Sequence, residues 1–376
     1  MRAAREVRVH VDVASVEGRV RRLLEERLRP AVRRDAVACA VGAFVVDGEP
    51  VVPAVGIGAD YQPIAPGTPW GRPWGTTWLR VAGRVPPAWS GRRVELVVDL
   101  GFGPQSPGFQ AEGLVFDESG VPVTGIAPRN DTVPLELLGA GAGDDVLVYV
   151  EAASNPAVMG AGDSFAPTRA GDRATAGTDP LYRLGRIELC TVDEELDGLC
   201  LDVEVLVGLA AQLEAHDPRQ AALWRALDQM ADAVDLDDVP GSARAARAEL
   251  AEVLASPAHA SAHRVTAVGH AHIDSAWLWP VRETVRKCAR TFANVLSLAE
   301  RHPELVFACS QAQQYAWVRD GYPELFERVR ARVRTGQWVP VGGTWVEPDG
   351  NLCGSEALAR QLVLGRRFFA DELGVE

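Results

Sequence analysis

The run Arg264-Val265-Thr266-Ala267-Val268, followed at once by Gly269-His270-Ala271-His272-Ile273-Asp274-Ser275-Ala276-Trp277, constrains this chain more than any other feature. The first five residues have the apolar, β-branched texture of a strand, and the motif after them sets two imidazoles and a carboxylate at the strand's carboxyl end. Parallel α/β sheets carry their chemistry at that end. The pattern therefore points to a metal site in a carbohydrate-processing or other hydrolytic enzyme. Only residues 278–376 follow the motif, which is too little chain for most barrels.

The segments downstream keep the same alternation. A helix is expected from Val281 to Glu300, a strand from Leu305 to Cys309, helices over Gln311 to Arg319 and Pro323 to Arg334, a strand from Trp338 to Val341, and a last helix from Ser355 to Phe369. Three strand-to-helix steps of this kind are what a parallel sheet requires. The third strand leads into Gly342-Gly343-Thr344-Trp345-Val346-Glu347-Pro348-Asp349, so Glu347 and Asp349 are expected on the same face as His270 to Asp274.

Upstream the texture is different. A helix is expected from Val16 to Arg29, closed by Pro30, and then a strand from Ala40 to Val46. From Pro50 to Pro156, short apolar runs are separated by Gly and Pro. Period-two alternation at Val94, Leu96, Val98 and at Val146, Val148, Val150 reads as a β-sandwich. Trp70, Trp74, Trp78 and Trp89 in this region suit a core, or a surface that stacks on sugars. The Gly-rich residues 160–163 and the polar stretch to Asp179 read as a linker. Helical spacing returns at 196–213, 221–234 and 243–254, with no evident chemistry.

The divisions expected are thus a helix and strand segment over 1–48, an all-β sandwich with its linker over 49–180, a helical connecting region over 181–260, and a catalytic α/β domain over 261–376. A net charge of −13 and a pI near 5.1 argue against nucleic-acid or anionic-membrane partners. Six widely spaced cysteines without a CxxC pair indicate reduced thiols rather than a disulfide framework. With no signal-peptide core and no long uncharged apolar run, a cytoplasmic address is expected. Oligomeric state is not legible.

Taken from the residues alone, His272 with Asp274, or His270 with His272, stand two apart and project to one side of an extended chain, so either pair can chelate one ion. A catalytic zinc needs a third ligand, and His263, Glu347 and Asp349 are the remaining candidates. Trp277 and Trp345 offer indole platforms for a sugar ring, and Glu347, if buried and neutral, would donate a hydrogen bond to substrate. A metal-dependent amidohydrolase or deacetylase using both histidines, and a non-catalytic carbohydrate-binding protein built on the sheet domain, are the alternatives.

Gly269 to Pro280, GHAHIDSAWLWP, resembles the entry motif of the zinc-dependent retaining α-mannosidases of glycoside hydrolase family 38. Trp70 to Trp78, WGRPWGTTW, and GGTWVEPD with QLVLGRRFF at Gln361 to Phe369 are similar to its vacuolar and cytosolic branch, which includes many bacterial members. The resemblance implies an N-terminal β-domain ahead of the first part of a (β/α)7-type barrel, truncated here. It implies one Zn2+ held by His272 and Asp274, with His270 supporting them, Trp277 and Trp345 against an α-mannosyl oligosaccharide, and Asp349 in a lesser polar role. A second reading of the motif uses His270 with Asp274. The family's nucleophilic aspartate lies in a segment expected beyond Glu376, as does the other zinc-binding histidine, so no catalytic residue is assigned and this chain is expected to be inactive.

Overall fold

A computed structural model describes residues 12–103, 110–156, 169–215 and 217–375. The chain divides into two compact units that are not contiguous in sequence. One comprises the residues up to Val37, Gly91–Glu95 and Cys190–Val265, and the other comprises Ala38–Ser90, Leu96–Leu189 and the chain from Thr266 onward. The Gly-rich residues 160–163 of the expected linker lie outside the described residues.

The first unit is helical. Helices Glu194–Gln212, Pro218–Ala233 and Val239–Ala248 each begin behind an aspartate whose side chain accepts a backbone N–H of the first turn: Asp193 from Leu196, Asp217 from Arg219 and Asp238 from Gly241. Val16, Val20 and Leu23 of helix Val13–Leu23 lie on one face and join Leu199, Leu227 and Met230 in a single core. Arg19 Nη1 reaches Asp228 at 2.9 Å and Asp232 at 2.8 Å. Pro30 does not end this helix. The helical path continues through a π-turn, Leu24–Leu28, into Arg29–Val32, and so runs past the proline.

The second unit joins a β-rich region to a small parallel sheet. Six antiparallel strands run in the order Gln62–Pro63, Ala40–Val46, Gly75–Arg84, Asp145–Ser154, Glu112–Phe116, Pro122–Ile126. Strand Val94–Val98, which enters this unit at Leu96, neighbours Thr132–Pro134 in a second sheet. Trp70, Trp74, Trp78 and Trp89 are all buried, so they fill this core and form no exposed stacking surface. The expected alternation fails in two places. Val94–Val98 is buried at every residue, and Asp145–Ser154 alternates only until Val150, beyond which both faces are covered. Helix Val281–Arg301 carries Arg286 to Glu151 on that strand.

That helix sits on strand Pro122–Ile126 through two devices. A Cβ on Gly125 would lie 3.0 Å from the Arg290 carbonyl oxygen and 3.1 Å from Arg290 Cβ, so any other residue would push helix and strand apart by a few tenths of an ångström. Asn294 Oδ1 then accepts from Thr124 Oγ1 at 2.6 Å, Gly125 N at 2.9 Å and Asn130 Nδ2 at 3.1 Å. Beside it, Glu283 is fully buried and accepts from Arg286 Nη2 at 2.5 Å, from Asn155 Nδ2 at 2.7 Å and from Arg290 Nη2. Burial alone would raise the Glu283 carboxyl, but Arg286 and Arg290 outweigh it and hold the group down at about 2. At Glu151, by contrast, burial prevails over the same guanidiniums and the carboxyl is raised.

The parallel sheet has the order Gly269–His270, Phe307–Cys309, Trp338–Pro340. Helices Val281–Arg301, Ala312–Gly321, Pro323–Arg334 and Ser355–Phe368 follow its strands. Trp338, on an outer strand, is buried, with Phe307 at 4.8 Å and Phe292 at 4.9 Å between ring centroids, and its Nε1 donates to Tyr315 Oη at 2.9 Å. The strand expected at Val265 to Val268 is absent. Val265 is 87% exposed and Val268 51%, and only Gly269 and His270 pair, at the sheet edge, against one neighbour. With nothing covering it, an apolar run has no reason to stay extended. All six cysteines are free, and no helix among the described residues is long and apolar enough to cross a membrane.

Two outcomes test this arrangement. Gly125→Ala should lower stability by about 1–3 kcal/mol in urea unfolding, because helix and strand must separate to admit the methyl group. Glu283→Gln should lower it by about 3–5 kcal/mol at neutral pH, leaving two guanidiniums without their shared counter-charge. Since the Glu283 carboxyl is depressed on folding, its contribution is complete above the usual glutamate value of about 4.3 and is lost as pH falls towards 2. The gap between wild type and variant should therefore narrow across that window, and a gap independent of pH would contradict the assignment.

Candidate functional site

The three parallel strands deliver three polar segments at their carboxyl ends. The first leads into His270 to Asp274, the second into Ser310-Gln311, and the third into Gly342 to Asp349. Backbone bonds tie the second segment to the third: Val341 N to Cys309 O at 3.0 Å, Ala312 N to Thr344 O at 3.1 Å and Gln313 N to Trp345 O at 2.9 Å. The last helix clamps the third segment from behind. A Cβ on Gly365 would lie 2.4 Å from the Thr344 carbonyl carbon, so the glycine of QLVLGRRFF is what lets the helix touch that backbone. Gln361 completes the clamp, accepting Trp345 N at its carbonyl (2.9 Å) and Val346 N at Oε1 (2.8 Å).

His272 is where the segments meet. Its Nε2 lies 3.3 Å from Asp274 Oδ1 and its Nδ1 lies 3.1 Å from Glu347 Oε2, while Ser310 Oγ donates to Glu347 Oε1 at 2.5 Å. His272 and Asp274 side chains are 58% and 41% exposed, and Glu347 is 40% exposed, so Glu347 is not the buried group the sequence reading required. His270 turns away, with Nδ1 2.8 Å from the Ala308 carbonyl oxygen on the neighbouring strand.

The aromatic candidates separate. Trp277 is 44% exposed and lies edge-on to Trp279, with ring centroids 6.0 Å apart. Trp345 is half-buried, donates from Nε1 to Gln313 Oε1 at 2.9 Å and packs its ring 5.9 Å from Phe368, so it is engaged with the helices behind the site. Asp349 is exposed and accepts Asn351 N at 2.9 Å, shaping the turn that follows.

The donor set can be compared with the zinc that the sequence implies. His272 Nε2 and Asp274 Oδ1 suit two corners of such a site, because bonds of about 2.0–2.2 Å from each would span their separation at a near-tetrahedral angle. The remaining corners are not supplied: among the described residues no group of three or more His, Cys, Asp or Glu is placed to hold a metal ion. Glu347 also touches His272, but at the other ring nitrogen, so the two carboxylates do not converge.

Sequence reasoning missed Ser310, Gln311 and Gln314. Gln311 Nε2 and Gln314 Nε2 both donate to the Ile273 carbonyl, at 2.9 and 2.6 Å, and Ser275 Oγ donates to Gln311 Oε1 at 2.7 Å. Gln311 adopts φ +66°, a left-handed conformation unusual for a side-chain-bearing residue, and the side-chain bonds to the motif accompany it. The signal was available as Ser310-Gln311-Ala312-Gln313-Gln314, a polar run directly behind a strand.

With this geometry in place, two family matches account for most of the second unit. Residues 37–190 match the family described as "Alpha-mannosidase, jelly roll domain", and residues 262–376 match "Glycosyl hydrolases family 38 N-terminal domain". In these two regions the chain is similar to the family 38 α-mannosidases. It is 38% identical over 320 residues to Alpha-mannosidase 2C1 of Homo sapiens, an overlap of 84% of this chain and 29% of the relative. Alpha-mannosidase G of Dictyostelium discoideum is 29% identical over 322 residues, covering 84% of the chain and 28% of the relative. Alpha-mannosidase of Saccharomyces cerevisiae is 29% identical over 323 residues, covering 82% and 28%. The chain thus spans less than a third of the length of the curated relatives it matches.

The glutamine clamp on the family 38 motif is open to a direct test. Gln311→Ala should speed amide exchange over Ile273 to Trp277 about tenfold, the equivalent of about 1.4 kcal/mol of local stability. Unchanged exchange would show that Gln314 alone holds the segment.

Proposed function

We propose that this chain forms the amino-terminal part of a zinc-dependent, retaining α-mannosidase of the vacuolar and cytosolic branch of family 38, acting on α-mannosyl oligosaccharides. The observation that carries the reading is the meeting of HAHID and GGTWVEPD at His272, at the carboxyl ends of parallel strands within matched regions. In this reading residues 49–180 are the β-domain, 181–260 the helical connection and 261–376 the opening strands of a (β/α)7 barrel, with 1–48 preceding them. Six free cysteines agree with a cytoplasmic setting.

His272 Nε2 and Asp274 Oδ1 would hold the zinc, with His270 fixing the strand end beneath them. When bound, the ion supplies Lewis-acid stabilisation to two adjacent hydroxyls of a mannosyl ring. Trp277 covers the apolar face of that ring, and Trp345 with Asp349 shapes the far wall through the turn they build. Retention needs two carboxylates about 5–5.5 Å apart, one as nucleophile and one as acid and base. Asp274 and Glu347 are both committed to His272 and suit neither role, so this chain by itself is proposed to lack turnover and to hold zinc weakly. His270, bound to the neighbouring strand, does not favour the paired-histidine site of an amidohydrolase.

Purified protein should not hydrolyse an aryl α-mannoside and should retain well under one zinc per chain after dialysis. His272→Ala and Asp274→Ala should each abolish the residual zinc, whereas His270→Ala should weaken it by about tenfold or more without abolishing it. Chelator-sensitive turnover by the chain alone would overturn the incomplete site, and zinc retained by both the His272 and Asp274 variants would overturn the ligand assignment.

A further inference from the structure

His272 has two ring nitrogens, and only one of them can serve an ion that Asp274 also holds. Nε2 lies 3.3 Å from Asp274 Oδ1, so it is the nitrogen that must offer a lone pair, and the one proton of the neutral ring then belongs on Nδ1. Glu347 Oε2 stands 3.1 Å from Nδ1, placed to accept that proton's hydrogen bond. The other oxygen of the same carboxylate accepts the Ser310 hydroxyl at 2.5 Å, so both of its oxygens are engaged and its rotamer is set.

A half-exposed pair of this kind ordinarily counts for little, because long side chains wander. Here the backbones on both sides are fixed. Four bonds hold the segment ahead of Glu347: Thr344 O and Trp345 O accept from Ala312 N and Gln313 N, while Trp345 N and Val346 N donate to Gln361. Pro348 restricts the Glu347 backbone from the other direction. Next to His272, Ile273 is buried and its carbonyl accepts from both Gln311 and Gln314. Ser310 directly precedes Gln311 at the end of the middle strand, between the strands that deliver the other two residues.

We propose that Ser310 and Glu347 are positioning residues for His272: Ser310 orients the Glu347 carboxylate, Glu347 keeps the ring proton on Nδ1, and Nε2 is thereby presented unprotonated beside Asp274. The proposal rests on the zinc reading for the use made of Nε2, whereas the tautomer is a property of the metal-free chain. Outer carboxylates that orient a ligating histidine in this way also raise its basicity. The glutamate of GGTWVEPD thus acts on the ligand rather than as a ligand.

The test uses the whole chain with 15N-labelled histidine, the His272 signals being those lost in His272→Ala. Tautomers are read from long-range 1H–15N correlations at about pH 9, well above the ordinary histidine range, and zinc alone is titrated near neutrality. The Nδ1–H form should predominate at His272. Glu347→Ala should remove that preference and raise the zinc concentration needed to shift Nε2 by about 10–100-fold, while Glu347→Gln, which keeps an acceptor oxygen, should retain the tautomer and lose less affinity. Ser310→Ala should raise that concentration about threefold to tenfold. The Trp345 indole signal, bonded to Gln313, should stay in place in all three variants and so report an intact loop. A predominant Nε2–H form in the wild type, or a tautomer unchanged by Glu347→Ala, would overturn the positioning role and leave the zinc reading standing. Zinc shifting Nδ1 in place of Nε2 would also overturn it, since Glu347 would then be a ligand. Zinc moving neither nitrogen would instead tell against the ligand assignment, with the positioning role still decided by the tautomer.

Discussion

Glu283 is the residue through which the β-rich region and the parallel sheet become one unit. Its carboxylate is out of water and takes bonds from Arg286, Arg290 and Asn155, and those same guanidiniums extend to Glu151 and Glu112 on two adjacent strands of the antiparallel sheet. Apolar contact alone would let a helix slide along a sheet. A buried, directional cluster of this kind fixes the register, because any shift strands a charge in a low dielectric. Gly125 and Asn294 set the height of the same helix above the same sheet. The position of His272 relative to the β-rich walls therefore follows from contacts made along the far side of helix Val281–Arg301.

The site itself is built by strand order. Neighbouring parallel strands bring residues near 272, 310 and 347 together, and the glutamines of the middle strand end then fasten the first loop while the last helix fastens the third. Side chains that touch no candidate ligand, Gln311, Gln314 and Gln361, thus do most of the positioning. Their roles are backbone-directed, since each binds a main-chain carbonyl or N–H, and that is why they hold a loop that has little apolar material of its own.

Much of this was readable from the residues. Helices with clean amphipathic spacing, such as Pro323–Arg334, and strands with two paired neighbours, such as Phe307–Cys309, follow their patterns closely, and His272 and Glu347 meet as the alternation of elements implies. The pattern misleads where tertiary surroundings decide. Val265 to Val268 have strand texture but no cover, Pro30 lies within a helical path that runs on to Val32, and Val94–Val98 is enclosed on both faces, with the charge of Glu95 met by Arg93 and Arg33. Trp345 was expected as an open platform because an indole beside a carboxylate suggests sugar. Only the position of Gln313 and Phe368 shows that its surface is already in use.

The helical unit draws its core from both ends of a long stretch of chain. Val16, Val20 and Leu28 pack against Leu199, Leu227 and Leu250, with an entire β-rich region inserted between them. The apolar stripe of helix Val13–Leu23 therefore finds its partners only among residues from Leu196 onward. Closing this core joins segments far apart in sequence, so its formation carries the chain-entropy cost that slows folding of non-local contacts.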